Sequence, residues 1–83
     1  MYRRNYVTAM VTFKEPIAEL DKTFAQDAQA WGASSLCEWI DSYESTRFTA
    51  TADCSAVITS EYNMESVCEW LKRNTNIETI NIF

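Results

Sequence analysis

Apolar and polar positions alternate in long runs in two parts of this chain and recur at helical spacing in two others. The longest alternation spans Phe48 to Thr59. Phe48, Ala50, Ala52, Cys54, Ala56 and Ile58 are apolar, and Thr49, Thr51, Asp53, Ser55 and Thr59 between them are polar, with Val57 the exception. Strand side chains point to opposite faces in turn, so the pattern predicts one long strand buried on one side. Its inward residues are mostly small, which suits a central strand crossed closely by helices. Asn5 to Phe13 predicts the first strand, with Val7, Ala9, Val11 and Phe13 on one face and Tyr6, Thr8, Met10 and Thr12 on the other. Its β-branched content supports this. Ile77 to Phe83 predicts the last strand, in which Ile77, Thr79 and Asn81 alternate against Glu78, Ile80, Ile82 and Phe83.

Two stretches carry helical spacing. Ile17, Leu20, Phe24, Ala28 and Trp31 form a stripe that predicts a helix from Ile17 to Trp31, with Pro16 at its first turn, Glu15 and Glu19 near its positive end and Gly32 as its C-cap. Met64, Val67, Cys68 and Leu71 predict a second helix from Met64 to Arg73, with Asn63 at the N-cap and Lys72 and Arg73 at the C-terminus.

Ser35 to Tyr43 admits two readings. As a helix, Ser35 and Glu38 form a capping box and Leu36, Trp39, Ile40 and Tyr43 make a stripe. As a strand, it forms a hairpin with the central strand through Ser45 and Thr46. That pairs Glu44 with Arg47, Tyr43 with Phe48 and Trp39 with Ala52, and sets Cys37 opposite Cys54. Against the strand, Asp41 points at the core and the turn lacks the Gly or Asn that tight hairpins favour. An internal echo bears on the choice. Ser35-Leu36-Cys37-Glu38-Trp39-Ile40 resembles Ser66-Val67-Cys68-Glu69-Trp70-Leu71, and the second copy reads as helix. The echo favours a helix for the first copy but is too short to establish a repeat fold.

With the hairpin, the element order is β-α-β-β-α-β over a single domain, residues 1–83. That order resembles the ferredoxin-like fold, also the scaffold of RRM and ACT domains, and implies an α+β two-layer sandwich with two helices on one face of an antiparallel sheet. The alternative is β-α-α-β-α-β over a three-stranded sheet.

Composition narrows the function classes. About half of the residues, 47%, are hydrophobic and 13% are aromatic, which marks a folding chain. One glycine and one proline leave no flexible linker and no phosphate-cradling loop. No apolar run approaches the roughly 20 residues needed to span a bilayer, and no apolar segment follows Met1-Tyr2-Arg3-Arg4, so neither membrane insertion nor a signal peptide is expected and the expected location is cytoplasmic. The net charge of −5 and the scatter of Arg3, Arg4, Lys14, Lys22, Arg47, Lys72 and Arg73 argue against direct nucleic-acid binding. Three cysteines and no histidine exclude a disulfide framework, a four-thiolate zinc site within one chain and a Cys–His nucleophile. The thiols read as core packing. Carboxylate pairs such as Glu38 with Asp41 and Glu65 with Glu69 read as solvated helix surface. An enzyme is not expected, and no cofactor or metal is.

An RRM-type RNA binder would show aromatic residues on its central strands. Here Tyr6 stands among Thr8, Met10 and Thr12, and the expected third strand offers Thr49, Thr51, Asp53 and Ser55. An ACT-like site would need a glycine where Lys14-Glu15-Pro16 stands. What remains is a protein-binding module. Glu38, Trp39, Asp41, Tyr43 and Glu44 cluster in sequence, and Tyr6 and Trp70 join them as exposed or boundary aromatics. Such anchors ringed by carboxylates suit a protein partner with a basic surface; a homodimer through an open sheet edge is a further option. In type the chain is similar to small acidic phage-encoded inhibitors, anti-CRISPR proteins among them. That similarity implies stoichiometric blocking of a host or defence complex, at a basic or nucleic-acid-binding surface. The runner-up expectation is a small-ligand or RNA-binding regulatory domain.

Overall fold

The computed structural model describes residues 6–83. Asn5, where the first strand was expected to begin, and the basic pair Arg3-Arg4 lie outside the described residues. The chain forms β1 (Val7–Phe13), α1 (Ile17–Gln26), α2 (Ala28–Trp31), α3 (Leu36–Asp41), β2 (Thr46–Ala52), β3 (Ser55–Ser60), α4 (Met64–Asn74) and β4 (Ile77–Ile82). The four strands make one sheet in the order β2-β3-β1-β4, every neighbouring pair antiparallel. This is an α+β arrangement in which helices cover one face of the sheet.

Three expectations are corrected. The strand Phe48 to Thr59 is a hairpin, β2 and β3, turning at Asp53-Cys54. The register explains why alternation concealed it. Phe48 lies opposite Ile58, Thr49 opposite Val57 and Ala50 opposite Ala56, so even residues face even ones, because an irregularity between Ala50 and Ala52 offsets the two-residue turn that sets Ala52 opposite Ser55. Directly opposed residues share a face, so folding the ribbon in this register leaves the period of two unbroken on both arms. The turn also lacks a Gly or Asn; its carbonyls are held from outside. The Asp53 carbonyl accepts from Ile17 N and the Cys54 carbonyl from Phe13 N, both at 2.7 Å. Asp53 thus satisfies one of the N–H groups that the start of α1 would otherwise leave open.

Second, residues 35–43 are not a strand. Leu36–Asp41 is α3, with Ser35 Oγ accepting from Glu38 N at 3.1 Å. The capping box is half formed, since the Glu38 carboxylate accepts from Ser34 Oγ instead. Nor is the three-stranded alternative right, because the hairpin supplies the fourth strand. Third, the first helix breaks at Asp27, whose φ of −140° ends α1. A straight helix would set Phe24 and Trp31 about 10 Å apart along its axis; across the break their ring centroids lie 4.9 Å apart. Gly32 ends α2 with φ 76°, the left-handed position expected of a C-cap glycine. Asn63 occupies the N-cap of α4, but its side-chain amide donates to the Glu44 carbonyl rather than capping.

The core lies between sheet and helices. Val11, Leu36, Ile40, Ile58, Val67 and Leu71 are fully enclosed. Leu36 and Ile40 of the first echo copy correspond to Val67 and Leu71 of the second, so the repeated letters mark equivalent inward positions on two helices. The other sheet face is uncovered. Met10, on this face, is 43% exposed, and Thr49, Val57, Met10 and Asn81 form one row across the four strands.

Candidate functional site at the α3–β2 corner

α3 is pinned to the edge strand β2 by its own polar side chains. Asp41 Oδ1 accepts from Phe48 N at 2.8 Å, and Cys37 Sγ donates towards the Phe48 carbonyl at 3.6 Å. Phe48 therefore has both outward backbone groups occupied. Cys37 also lies 3.6 Å from Asp41 Oδ2. Burial, then the charge of Asp41 and the hydrogen bond to it, push the Cys37 thiol above its ordinary pKa; burial does the same for Cys68. The N-terminus of α3 is held from the other side, where Asp21 of α1 accepts from Leu36 N at 2.9 Å.

Beside this joint lies a cleft of about 540 Å³ lined by Tyr6, Asp41, Tyr43, Ser45, Thr46 and Arg47. Thr46, one of the lining residues, is held by a buried hydroxyl pair, Thr46 Oγ1 and Ser60 Oγ at 2.8 Å, and Ser60 also accepts from Asn63 N. Ser45 turns the chain into β2 with φ 55°. Tyr6 closes the cleft from the start of β1 and is 45% exposed.

A second feature adjoins the cleft. Phe24, Trp31, Trp39 and Trp70 are all within ring-contact distance of one another, from 4.9 to 6.5 Å between centroids. Trp39 and Trp70, the tryptophans of the two echo copies, lie 5.4 Å apart. Trp39 carries the cluster to the cleft, because Tyr43 meets it edge-on at 6.3 Å. The Trp39 Nε1 is enclosed without an acceptor.

The residues singled out from sequence therefore divide. Tyr6, Asp41 and Tyr43 come together at the cleft. Trp39 and Trp70 come together in the aromatic cluster, half-buried. Glu38 is exposed and engaged with Ser34, and Glu44 is exposed beside the loop that its carbonyl ties to Asn63 and Thr46. Asp41 is a fastener of the fold as much as a surface charge. The expected Glu44–Arg47 pair does not form, and Arg47 makes no ion pair among the described residues. Sequence reasoning missed Ser45, Thr46 and Arg47 as cleft residues, because the expected hairpin placed Ser45 and Thr46 in its turn and Arg47 opposite Glu44. No group of three or more His, Cys, Asp or Glu side chains gathers as a metal site among the described residues, and no helix there is long and apolar enough to cross a membrane.

Fold and corner together define a small two-layer α+β domain with a shallow polar cleft at one sheet margin. The chain belongs to the family described as a domain of unknown function, DUF6956, whose model matches residues 2–82. No curated protein and no solved structure matches it.

Proposed function

We propose that this protein is a non-enzymatic binding module of ferredoxin-like architecture, which docks a protein partner at the α3–β2 corner. Read from the β4 margin, the strand order runs β4-β1-β3-β2, with helices in both crossovers, which supports that architecture. The observation that carries the function is the cleft, where two tyrosines flank a carboxylate next to a half-buried tryptophan cluster. Aromatic anchors at a concave margin are the usual centre of an interface. Glu38, Asp41 and Glu44 on the same corner favour a partner segment carrying Lys or Arg. The net charge of −5 points the same way and suits an inhibitor that occludes a basic, nucleic-acid-binding surface of a host or defence complex. Thiols held protonated are poor nucleophiles, and the chain has no histidine to activate them.

The test is affinity capture from the source cell with the protein as bait at micromolar concentration, alongside Tyr6→Ala and Tyr43→Ala. Capture of a partner by the parent protein, reduced at least tenfold by either change, is the expected result. No partner, or one held equally by both variants, overturns the reading. The cleft volume also falls within the range of small-ligand sites, about 300–1,000 Å³. A thermal shift with amino acids, nucleotides or a single-stranded RNA pool that Tyr43→Ala abolishes would establish that second reading instead.

A further inference from the structure

The two margins of the sheet differ. At β2, α3 occupies the outward backbone groups of Phe48. At β4 nothing among the described residues does so. Phe83 N donates to the Thr8 carbonyl at 2.8 Å, so Phe83 faces inward on the ladder. Antiparallel ladders alternate, so the N–H and C=O of Ile80 and Ile82 point away from β1. β4 has none of the devices that blunt an open margin: no proline, no lysine, and Glu78 as its single charge. Ile82 opposes Ala9 and so lies on the core face, yet it is 57% exposed.

α4, the helix leading into this margin, supplies the matching charge. At 100° per residue, Glu65 and Lys72 fall on the flank opposite Trp70. Trp70 packs against Phe24, Trp31 and Trp39, towards the other helices. Glu65 and Lys72 therefore look outward over the β4 margin. Both are exposed, and Lys72 makes no ion pair among the described residues.

We infer that β4 pairs antiparallel with β4 of a second copy of this chain, forming a two-fold dimer with one continuous eight-stranded sheet. Self-pairing is favoured over a foreign strand because the pattern is self-complementary. A two-fold axis near Ile80 sets Thr79 across from Asn81 of the second copy, and it places Glu78 across from Ile82, not from another carboxylate. The same axis runs the two α4 helices antiparallel. β4 is about 20 Å long and α4 about 16 Å, so an axis through the middle of one passes near the middle of the other. That brings Glu65 of each copy to Lys72 of the other. Ile80 and Ile82 fill the space beneath the helices.

Sedimentation equilibrium of the purified protein tests this, with far-UV circular dichroism to check folding. A weak dimer is expected, with a dissociation constant on the order of 10 µM, because one short strand pair and two ion pairs make a small interface. Ile82→Pro removes an outward N–H without touching the ladder to β1, and it should weaken the dimer at least tenfold. K72E sets carboxylates against each other across the axis and should weaken it about threefold or more. E65K/K72E keeps the net charge and should restore parental affinity. A parent protein that is monomeric at 200 µM, a dimer indifferent to Ile82→Pro, or a double variant no tighter than K72E each overturns the inference. If Ile82→Pro fails to fold, the charge exchange decides it alone.

Discussion

Asp41 acts at a single bond that joins two elements, since its carboxylate accepts the Phe48 N–H at the margin of the sheet. Asp41→Ala leaves that donor unmet and should cost about 1–3 kcal/mol in chemical denaturation, whereas Asp41→Asn retains an acceptor oxygen and should cost less. Cys37 and Cys68 give a second expectation at this scale. Their thiols are raised in the folded protein, so the unfolded chain releases those protons first as pH rises. Stability is then fully present below the ordinary thiol pKa of about 8.5 and declines as pH climbs through the raised folded values. Urea midpoints between pH 7 and 10 should fall above pH 8.5, and Cys37→Ala should flatten part of that fall. Individual caps were legible in the letters: Ser35 as an N-cap and Gly32 as a C-cap hold because their chemistry is local. Asp41 was not, because its partner lies on another element and a carboxylate on a helix reads as solvated surface until that element is placed.

The hairpin shows where local pattern stops being informative. A ribbon folded so that even residues oppose even ones has the alternation of a straight strand, and a turn anchored by Ile17 and Phe13 needs no glycine of its own. The helix echo pulled correctly in the same region, because the apolar spacing of Leu36 and Ile40 repeats that of Val67 and Leu71 on a helix that reads unambiguously. Half of the candidate corner followed from that, since Trp39 and Tyr43 sit on or beside α3. The other half, Ser45 to Arg47, depended on where β2 begins. Ser45 supplies the element-scale prediction. It holds φ 55°, a left-handed backbone that costs an L-residue on the order of 1 kcal/mol. Ser45→Gly should raise the denaturation midpoint by the equivalent of about 0.5–1 kcal/mol, and Ser45→Val should lower it.

Over the whole molecule, stability is graded from the middle of the sheet outward. β1 and β3 are flanked on both sides and contribute Ala9, Val11, Ala56 and Ile58, all fully buried. Their amides should be the last to exchange with deuterium, and among the strands β4 should exchange first in dilute solution, read by NMR or mass spectrometry. That ranking was partly legible: β1, β4 and a helical covering on one face followed from periodicity, whereas β2 and β3 read as one strand and the fourth strand was sought at residues 35–43, which are helix. The two sheet margins now take on different meanings for growth. A unit with a single sticky side has a valence of one, so its association halts as soon as that side is used. A unit with two would add neighbours without limit and draw out into a ribbon. In the dimer inferred above, the Asp41 and Cys37 contacts at Phe48 interrupt the opposite margin, and their loss would leave each copy open to a second neighbour and to growth as a fibre.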